Sequence, residues 1–85
     1  MSPRSPAKFK EMREGKKNLI MNVALEHFSN SGFHATTISH IARHAGISKG
    51  LIYNYFRSKE DLLTTIINRS LTEIYYHFNP DHDSR

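Results

Sequence analysis

The sequence predicts an all-α fold in which two short helices lie between two long ones. Its apolar residues recur at intervals of three and four positions in separate stretches, which is the period of an amphipathic helix. No stretch alternates apolar and polar residues for long enough to indicate a strand. Gly32 and Gly46 directly follow two periodic stretches, at positions where glycines commonly end helices. With 85 residues the chain allows one small domain.

The first helix is predicted from about Ala7 to Ser31, with Gly32 just beyond its end. Its apolar face has residues at i, i+3, i+4, i+7 and i+8, namely Ile20, Val23, Ala24, His27 and Phe28. Residues 1–6 contain two prolines and no apolar pattern, so we expect a disordered basic arm there.

A second helix of about two turns is predicted between a pair of threonines and Gly46. The hydroxyl of either Thr36 or Thr37 is suited to cap its N-terminus. Its apolar residues again have helical spacing: Ile38, Ile41, Ala42 and Ala45. A third short helix follows, with Ser48 as its cap and its end near Tyr55.

The fourth helix is predicted over residues 59–78, and residues 79–85 form a polar tail. Ser58 is placed to cap this helix, and Glu60 and Asp61 lie in its first turn, where the helix dipole favours negative charge. Its apolar stripe contains Leu62, Leu63, Ile66, Ile67, Leu71 and Ile74. The second half reaches past so small a core, which indicates that another domain or subunit covers it, or that the helix frays.

Charge and composition narrow the classes of partner. The net charge of +4 favours a polyanionic partner, either nucleic acid or an anionic membrane surface. The absence of cysteine excludes disulfides and thiolate zinc sites, and no apolar run approaches the length of a membrane span. We therefore expect a cytoplasmic protein. The basic residues crowd the first part of the chain, where we expect phosphate contacts without sequence reading, or a solvated end: Arg4, Lys8, Lys10, Arg13, Lys16 and Lys17.

The stretch from Ile38 to Phe56 carries the prediction of function. Two short helices joined by a glycine-containing turn form a helix-turn-helix unit, although a plain helical hairpin has the same spacing. The outward residues of the third helix are predicted to be Ser48, Lys49, Gly50, Leu51, Tyr53, Asn54 and Tyr55. Lysine and asparagine read base edges, serine and tyrosine hydroxyls contact phosphates, and no acid occurs between Ser48 and Lys59. This pattern predicts binding to double-stranded DNA.

The run from Ile20 to Leu63 resembles the DNA-binding domain of the tetracycline-repressor (TetR) family of bacterial regulators. The matching residues are Ile20, Ala24, Phe28, Gly32, Phe33, Thr36, Thr37, Ile38, Ile41, Ala42, Ala45, Gly46, Ile47, Ser48, Lys49, Gly50, Ile52, Tyr53, Tyr55, Phe56, Lys59, Glu60, Asp61, Leu62 and Leu63. The resemblance implies a three-helix, homeodomain-like DNA-binding domain over residues 7–63. The fourth helix would lead to a C-terminal domain, absent from this chain, that dimerises and binds a small-molecule inducer.

The resemblance also implies roles for individual residues. Thr37 would contact phosphate, and Ser39 would face a base. The groove floor would be met by Lys49, Gly50, Leu51 and Asn54. The DNA backbone or flanking bases would be touched by Ser48, Tyr53 and Tyr55, and Lys59 would hold a phosphate. A regulator of this kind, expected to be a repressor, binds a near-palindromic operator as a homodimer in its full-length form. The inducer would not be bound by this segment.

Other functions are disfavoured by the residues themselves. His40 and His44 have the i, i+4 spacing of a zinc-binding pair, but no further ligand is evidently placed to complete a site. No nucleophile elbow, phosphate loop or pair of carboxylates indicates an enzyme, and no cofactor is expected. The alternative to DNA binding is a truncated interaction module that pairs with another regulator subunit through the fourth helix. Within the apolar face, His27 departs from the resemblance, and we expect it to have a polar partner or partial exposure.

Overall fold

The computed structural model describes residues 6–78, which form four helices and, within that range, no strand. The helices are α1 (Pro6–Ser31), α2 (Ile38–Ala45), α3 (Lys49–Tyr53) and α4 (Lys59–Phe78). The all-α prediction is confirmed. Pro6, assigned from the sequence to the arm, instead begins α1, a position where the missing N–H of proline has no cost. The remainder of the predicted arm and the tail from residue 79 onward lie outside the described residues.

Each helix contributes one large, fully buried side chain to a single core. These are Ile20 of α1, Ile41 of α2, Ile52 of α3 and Leu62 of α4. The surrounding core residues are Met21, Val23, Ala24, Ile38, Ala42, Phe56 and Ile66. Removing these side chains from water is the main favourable contribution to folding, and it draws all four helices onto one centre.

The connection between α1 and α2 is fixed by two adjacent threonines with different roles. Thr37 is the N-cap of α2, and its Oγ1 accepts a hydrogen bond from the His40 backbone N–H at 3.0 Å. Thr36 is buried, and its hydroxyl lies 2.8 Å from the carbonyl of Gly32 and 3.2 Å from that of His27. Sequence alone left the choice of cap open between them, and tertiary burial of Thr36 leaves Thr37 for the cap.

The third helix is shorter than predicted. It ends at Tyr53, and Asn54 is its C-cap, with a backbone N–H that reaches the Gly50 and Leu51 carbonyls. The backbone N–H groups of Tyr55 and Phe56 then both bond to the Ile52 carbonyl, at 2.9 and 3.0 Å. Phe56 comes four residues after the buried Ile52, on the same inward side, and its ring packs in the core.

Replacing Gly46 with alanine is expected to lower the free energy of unfolding by about 1–2 kcal/mol. Gly46 has a φ of +74°, in the left-handed region, where a Cβ is strained even though nothing lies within 4 Å of it. Gly15→Ala is the matched control, because Gly15 lies inside α1 with equally open space. The control should gain up to about 1 kcal/mol. Urea unfolding measures both, and equal midpoints for Gly46→Ala and the wild type would show that position 46 is not strained.

The second half of α4 extends beyond the core. Every residue from 71 to 78 is exposed, including Leu71 at 58% and Phe78 at 74%. The exposed apolar side chains therefore form a helix face that the rest of the domain does not cover.

Over the residues described, none of the four helices is long and apolar enough to cross a membrane.

Candidate nucleic-acid interface

The turn between α2 and α3 holds α3 across the surface of the core. Gly46 closes α2, and the Ile47 backbone N–H bonds to the Ala42 carbonyl at 3.0 Å. Ser48 then caps α3, with its Oγ accepting from the Leu51 N–H at 3.1 Å. On the inner side of α3, Ile52 is completely buried. A helix anchored through one residue in this way must present its remaining side to solvent.

The outer side of α3 contains most of the predicted DNA-contacting residues. Lys49, Gly50, Tyr53 and Asn54 are exposed, and Leu51 is half-buried beside them. Tyr53 keeps 50% of its surface in solvent. The exposed set combines a cation, an amide and a phenol, whose hydrogen-bonding groups suit base edges and phosphates.

Two capping hydroxyls can each form a second hydrogen bond in addition to the capping bond. Thr37 and Ser48 are both exposed, and each uses its hydroxyl oxygen to accept a bond from the backbone. The hydroxyl hydrogen remains as a donor, because a hydroxyl can accept and donate at once. The start of α2 and the start of α3 therefore each offer one O–H to an anion. Ser39, on the first turn of α2, is half-buried.

The fold itself gives no reason for a glycine at position 50. A Cβ added there would have as its nearest neighbour the Ser48 Oγ, at 3.9 Å, which is ordinary contact. Gly50 also has no positive φ, unlike Gly32 and Gly46. Because the position is helical and exposed, glycine only costs stability there. The absence of a side chain leaves the outer side of α3 open at this position.

Tyr55 is placed differently from its neighbours on α3. It follows the end of the helix, is half-buried and packs against the core cluster. The guanidinium of Arg13, from the first half of α1, lies 5.7 Å from the centre of its ring, a cation–π distance. The sequence pattern predicts Tyr55 among the outward residues, but its ring is shared between the core and α1. Its proposed DNA contact stays a prediction.

Lys59 lies at the start of α4 and is already engaged within the chain. Its Nζ donates to the carbonyls of Phe33 and Thr36, at 2.7 and 2.8 Å, and lies 3.5 Å from that of His34. It also lies 4.3 Å from the centre of the Phe33 ring. The ammonium therefore holds the α1–α2 connection against α4. The phosphate contact assigned to Lys59 stays a prediction, and it would have to share this ammonium with the backbone.

Arg43 is a candidate contact that was not among the residues predicted from the sequence. It is exposed and lies four residues after Ser39, so the two side chains share one side of α2. At 100° per residue, that side is rotated about a third of a turn or more around the axis of α2 from the buried Ile38 and Ile41. The i, i+4 spacing from Ser39 was the available signal in the sequence.

The histidines meet on the opposite flank of α2. His27 Nε2 and His44 Nδ1 are 2.9 Å apart, so one ring donates a hydrogen bond to the other. His40 stacks with His27 at a ring separation of 6.4 Å. The expectation that His27 has a polar partner is confirmed. Across residues 6–78, no group of three or more His, Asp or Glu side chains is arranged to hold a metal ion.

These features define a class of protein. A short exposed helix with basic, amide and phenol side chains, joined by a glycine turn to a second helix and packed on a core shared by four helices, is a helix-turn-helix DNA-binding domain. A family model for bacterial regulatory proteins of the tetR family matches residues 20–66, more than half of the chain. The chain belongs to the TetR family.

Curated relatives agree with this assignment. The chain is 46% identical over 50 residues to the HTH-type transcriptional regulator HbdR of Aromatoleum sp. (strain CIB), covering 59% of this chain and 22% of that protein. It is 43% identical over 56 residues to the HTH-type transcriptional regulator RutR of Escherichia coli (strain K12), covering 66% and 26%.

A third relative is the fatty acid metabolism regulator protein of Bacillus subtilis (strain 168), which is 32% identical over 62 residues, covering 73% of this chain and 32% of that protein. The match thus spans less than a third of the length of all three relatives. The shared segment is the one that contains α2, α3 and the turn between them. The chain therefore carries the DNA-binding domain of a transcriptional regulator.

Proposed function

We propose that this chain binds specific DNA sequences, with α3 in the major groove, as the reading head of a bacterial repressor. One observation supports this above the others. The outer side of α3 is free of acids, exposes Lys49, Tyr53 and Asn54, and has a glycine that the fold does not need. A helix of this kind fits the major groove, which admits one helix and displays a distinct pattern for each base pair.

Within the proposed complex the contacts divide into two groups. Base edges are met by Ser39, Lys49, Leu51 and Asn54, while Gly50 lets the backbone of α3 approach the groove floor. The phosphates and flanking bases are met by Thr37, Ser48, Tyr53, Tyr55 and Lys59. Two copies of the regulator would bind a near-palindromic operator with half-sites about one helical turn, roughly 34–36 Å, apart. Because such an operator would lie on the bacterial chromosome, the protein would act in the cytoplasm.

Substitutions on α3 separate the two groups of contacts. Lys49→Ala and Asn54→Ala should each reduce discrimination between operator sequences by about 1–3 kcal/mol, because alanine cannot hydrogen-bond to a base edge. Tyr53→Ala should weaken binding to all sequences by about 1.5 kcal/mol, roughly tenfold, because alanine cannot donate a hydrogen bond to a charged phosphate.

The measurement is selection of bound duplexes from a random DNA pool at two salt concentrations, followed by titration of the selected and scrambled sequences. A contact between the Tyr53 hydroxyl and a phosphate should not affect which sequences are selected from the pool. Tyr53→Ala is therefore the control for the two base-reading variants. Equal losses on every sequence for all three variants would overturn the assigned roles.

A second candidate function rests on the exposed apolar face of α4. Leu71, Ile74 and Phe78 are each more than half exposed. A helix face of this kind is typical of a protein–protein interface, so the chain would pair with another regulator subunit through α4. Light scattering with and without duplex DNA distinguishes the two functions. Self-association that DNA does not affect, together with no DNA binding, would favour the interaction module.

A further inference from the structure

We propose that the first half of α1 is a second, rigid DNA-contact element that binds the phosphate backbone beside the segment read by α3. The contact is made by Lys10, Arg13 and Lys16, which we call the α1 basic face. This inference rests on the proposed function, since it needs duplex DNA at α3. The sequence predicts phosphate contacts for the basic stretch as a whole, and the structure places three of its cations, all exposed, on the continuous helix that begins at Pro6.

The α1 basic face continues the buried side of the helix. Ile20 and Ala24 are buried completely, and steps of three, four and seven residues from Ile20 towards the N-terminus lead to Lys17, Lys16 and Arg13. The inner side of α1 therefore changes from apolar to basic at the point where it leaves the core. An inner side that becomes cationic requires water or an anion there, since burial against apolar side chains would be costly.

The position of Arg13 shows what this side of α1 adjoins. Its guanidinium lies 5.7 Å from the ring centre of Tyr55, only two residues past the end of α3. Tyr55 is half-buried and packs against the core, so its position is fixed relative to α3. The α1 basic face thus lies next to the end of the helix proposed to enter the major groove.

The charge balance of this stretch favours phosphate. Glu14 and Lys17 both line the groove between α1 and α4. Glu14 is four residues after Lys10 and can offset part of its charge, whereas no acid lies three or four residues from Arg13 or Lys16. Glu11 is one residue after Lys10 and is directed about 100° away from it. Lys10, Arg13 and Lys16 remain as three exposed cations, separated by one turn each. Duplex DNA has one negative charge per about 1.7 Å of its axis, so a row of this spacing can follow a strand.

Salt dependence tests the proposal, because each phosphate that the protein no longer neutralises should lower the slope of log affinity against log salt by about 0.9. The probe is a labelled duplex of arbitrary sequence, about 30 base pairs or roughly three helical turns long. The full 85-residue chain and the triple variant Lys10→Gln/Arg13→Gln/Lys16→Gln are titrated between about 50 and about 200 mM salt. The slope of the triple variant should fall by up to about 2.7, equally for all sequences.

A double variant with unchanged net charge distinguishes a local phosphate contact by Arg13 from a general effect of the protein's net charge. Arg13→Gln/Glu26→Gln has the same net charge as the wild type, and Glu26 is exposed on α1 about 20 Å from position 13. This double variant should keep the reduced slope of Arg13→Gln, while Arg13→Lys should restore it. Full recovery in the double variant would mean that only net charge matters, and it would overturn the proposal.

Tyr53→Ala is measured in parallel, so that a failure of this inference can be distinguished from a failure of the proposed function. If Tyr53→Ala weakens binding and the triple variant binds with an unchanged salt slope, the α1 basic face makes no contact and only this inference is wrong. If Arg13→Gln alone lowers affinity without changing the slope, Arg13 merely positions Tyr55, and the inference is again wrong. If the wild type does not bind duplex DNA, both proposals are wrong.

Discussion

Replacing Phe56 with alanine is expected to remove most of the stability of the domain. The side chain is 2% exposed and belongs to the cluster that joins all four helices. Deleting a buried phenylalanine ring costs about 3–5 kcal/mol, through lost transfer free energy and the cavity that remains. A chain this short has a free energy of unfolding near the lower end of the usual range, about 5 kcal/mol. Phe56→Ala should therefore populate the unfolded state substantially at 25 °C.

Thermal unfolding followed by far-UV circular dichroism measures the Phe56→Ala effect. One kcal/mol corresponds to about 4–8 °C for a domain of this size, so a fall in Tm of more than about 12 °C is expected. Tyr53→Ala is the matched control, since Tyr53 is an aromatic residue three positions earlier with half its surface exposed. Its stability should change by no more than about 0.5 kcal/mol. A Tm for Phe56→Ala within a few degrees of the control would show that Phe56 does not link the helices.

Replacing Gly50 with leucine is expected to change folding and DNA binding in opposite directions. A Cβ at position 50 meets no neighbour closer than ordinary contact distance, the position is exposed, and leucine replaces a residue that disfavours helix. The free energy of unfolding should stay the same or rise by up to about 1 kcal/mol. DNA affinity should fall by at least about tenfold, or 1.4 kcal/mol, because the leucine occupies the space that the groove floor needs.

Gly15→Leu is the control for Gly50→Leu. Gly15 is also helical and exposed, and a Cβ there has open space, but it is directed about 160° away from Arg13 and about 100° away from Lys16 around α1, off the α1 basic face. The control should gain a similar stability and keep wild-type affinity for duplex DNA, as measured by fluorescence anisotropy. Wild-type affinity in Gly50→Leu would show that α3 does not approach DNA closely, and would contradict the proposed function at its main point.

Local sequence features predicted the helices well because their ends are decided by neighbouring residues. Gly46 ends α2 since glycine alone adopts the left-handed conformation at no steric cost, and Ser48 caps α3 through its own hydroxyl. The end of α3 was predicted two residues too late. The helical spacing continues through Tyr55, whereas in the structure α3 ends at Tyr53 and the Tyr55 and Phe56 N–H groups share the Ile52 carbonyl in a turn.

The exposed side of α3 was likewise predictable, since one buried residue, Ile52, determines which neighbours face outward. Contacts between residues far apart in the chain were not predictable from spacing. Arg13 meets Tyr55 and Lys59 meets the Phe33 and Thr36 carbonyls, across separations of 23 to 42 positions.

The amino-acid sequence thus determined four helices, the caps Gly46 and Ser48, and an acid-free exposed side of α3, because each depends on groups within one or two turns. Tertiary structure alone decided which cations stay available to an anion. A long side chain such as Lys59 or Arg13 finds its partner through the packing of whole helices, and no local pattern encodes that packing.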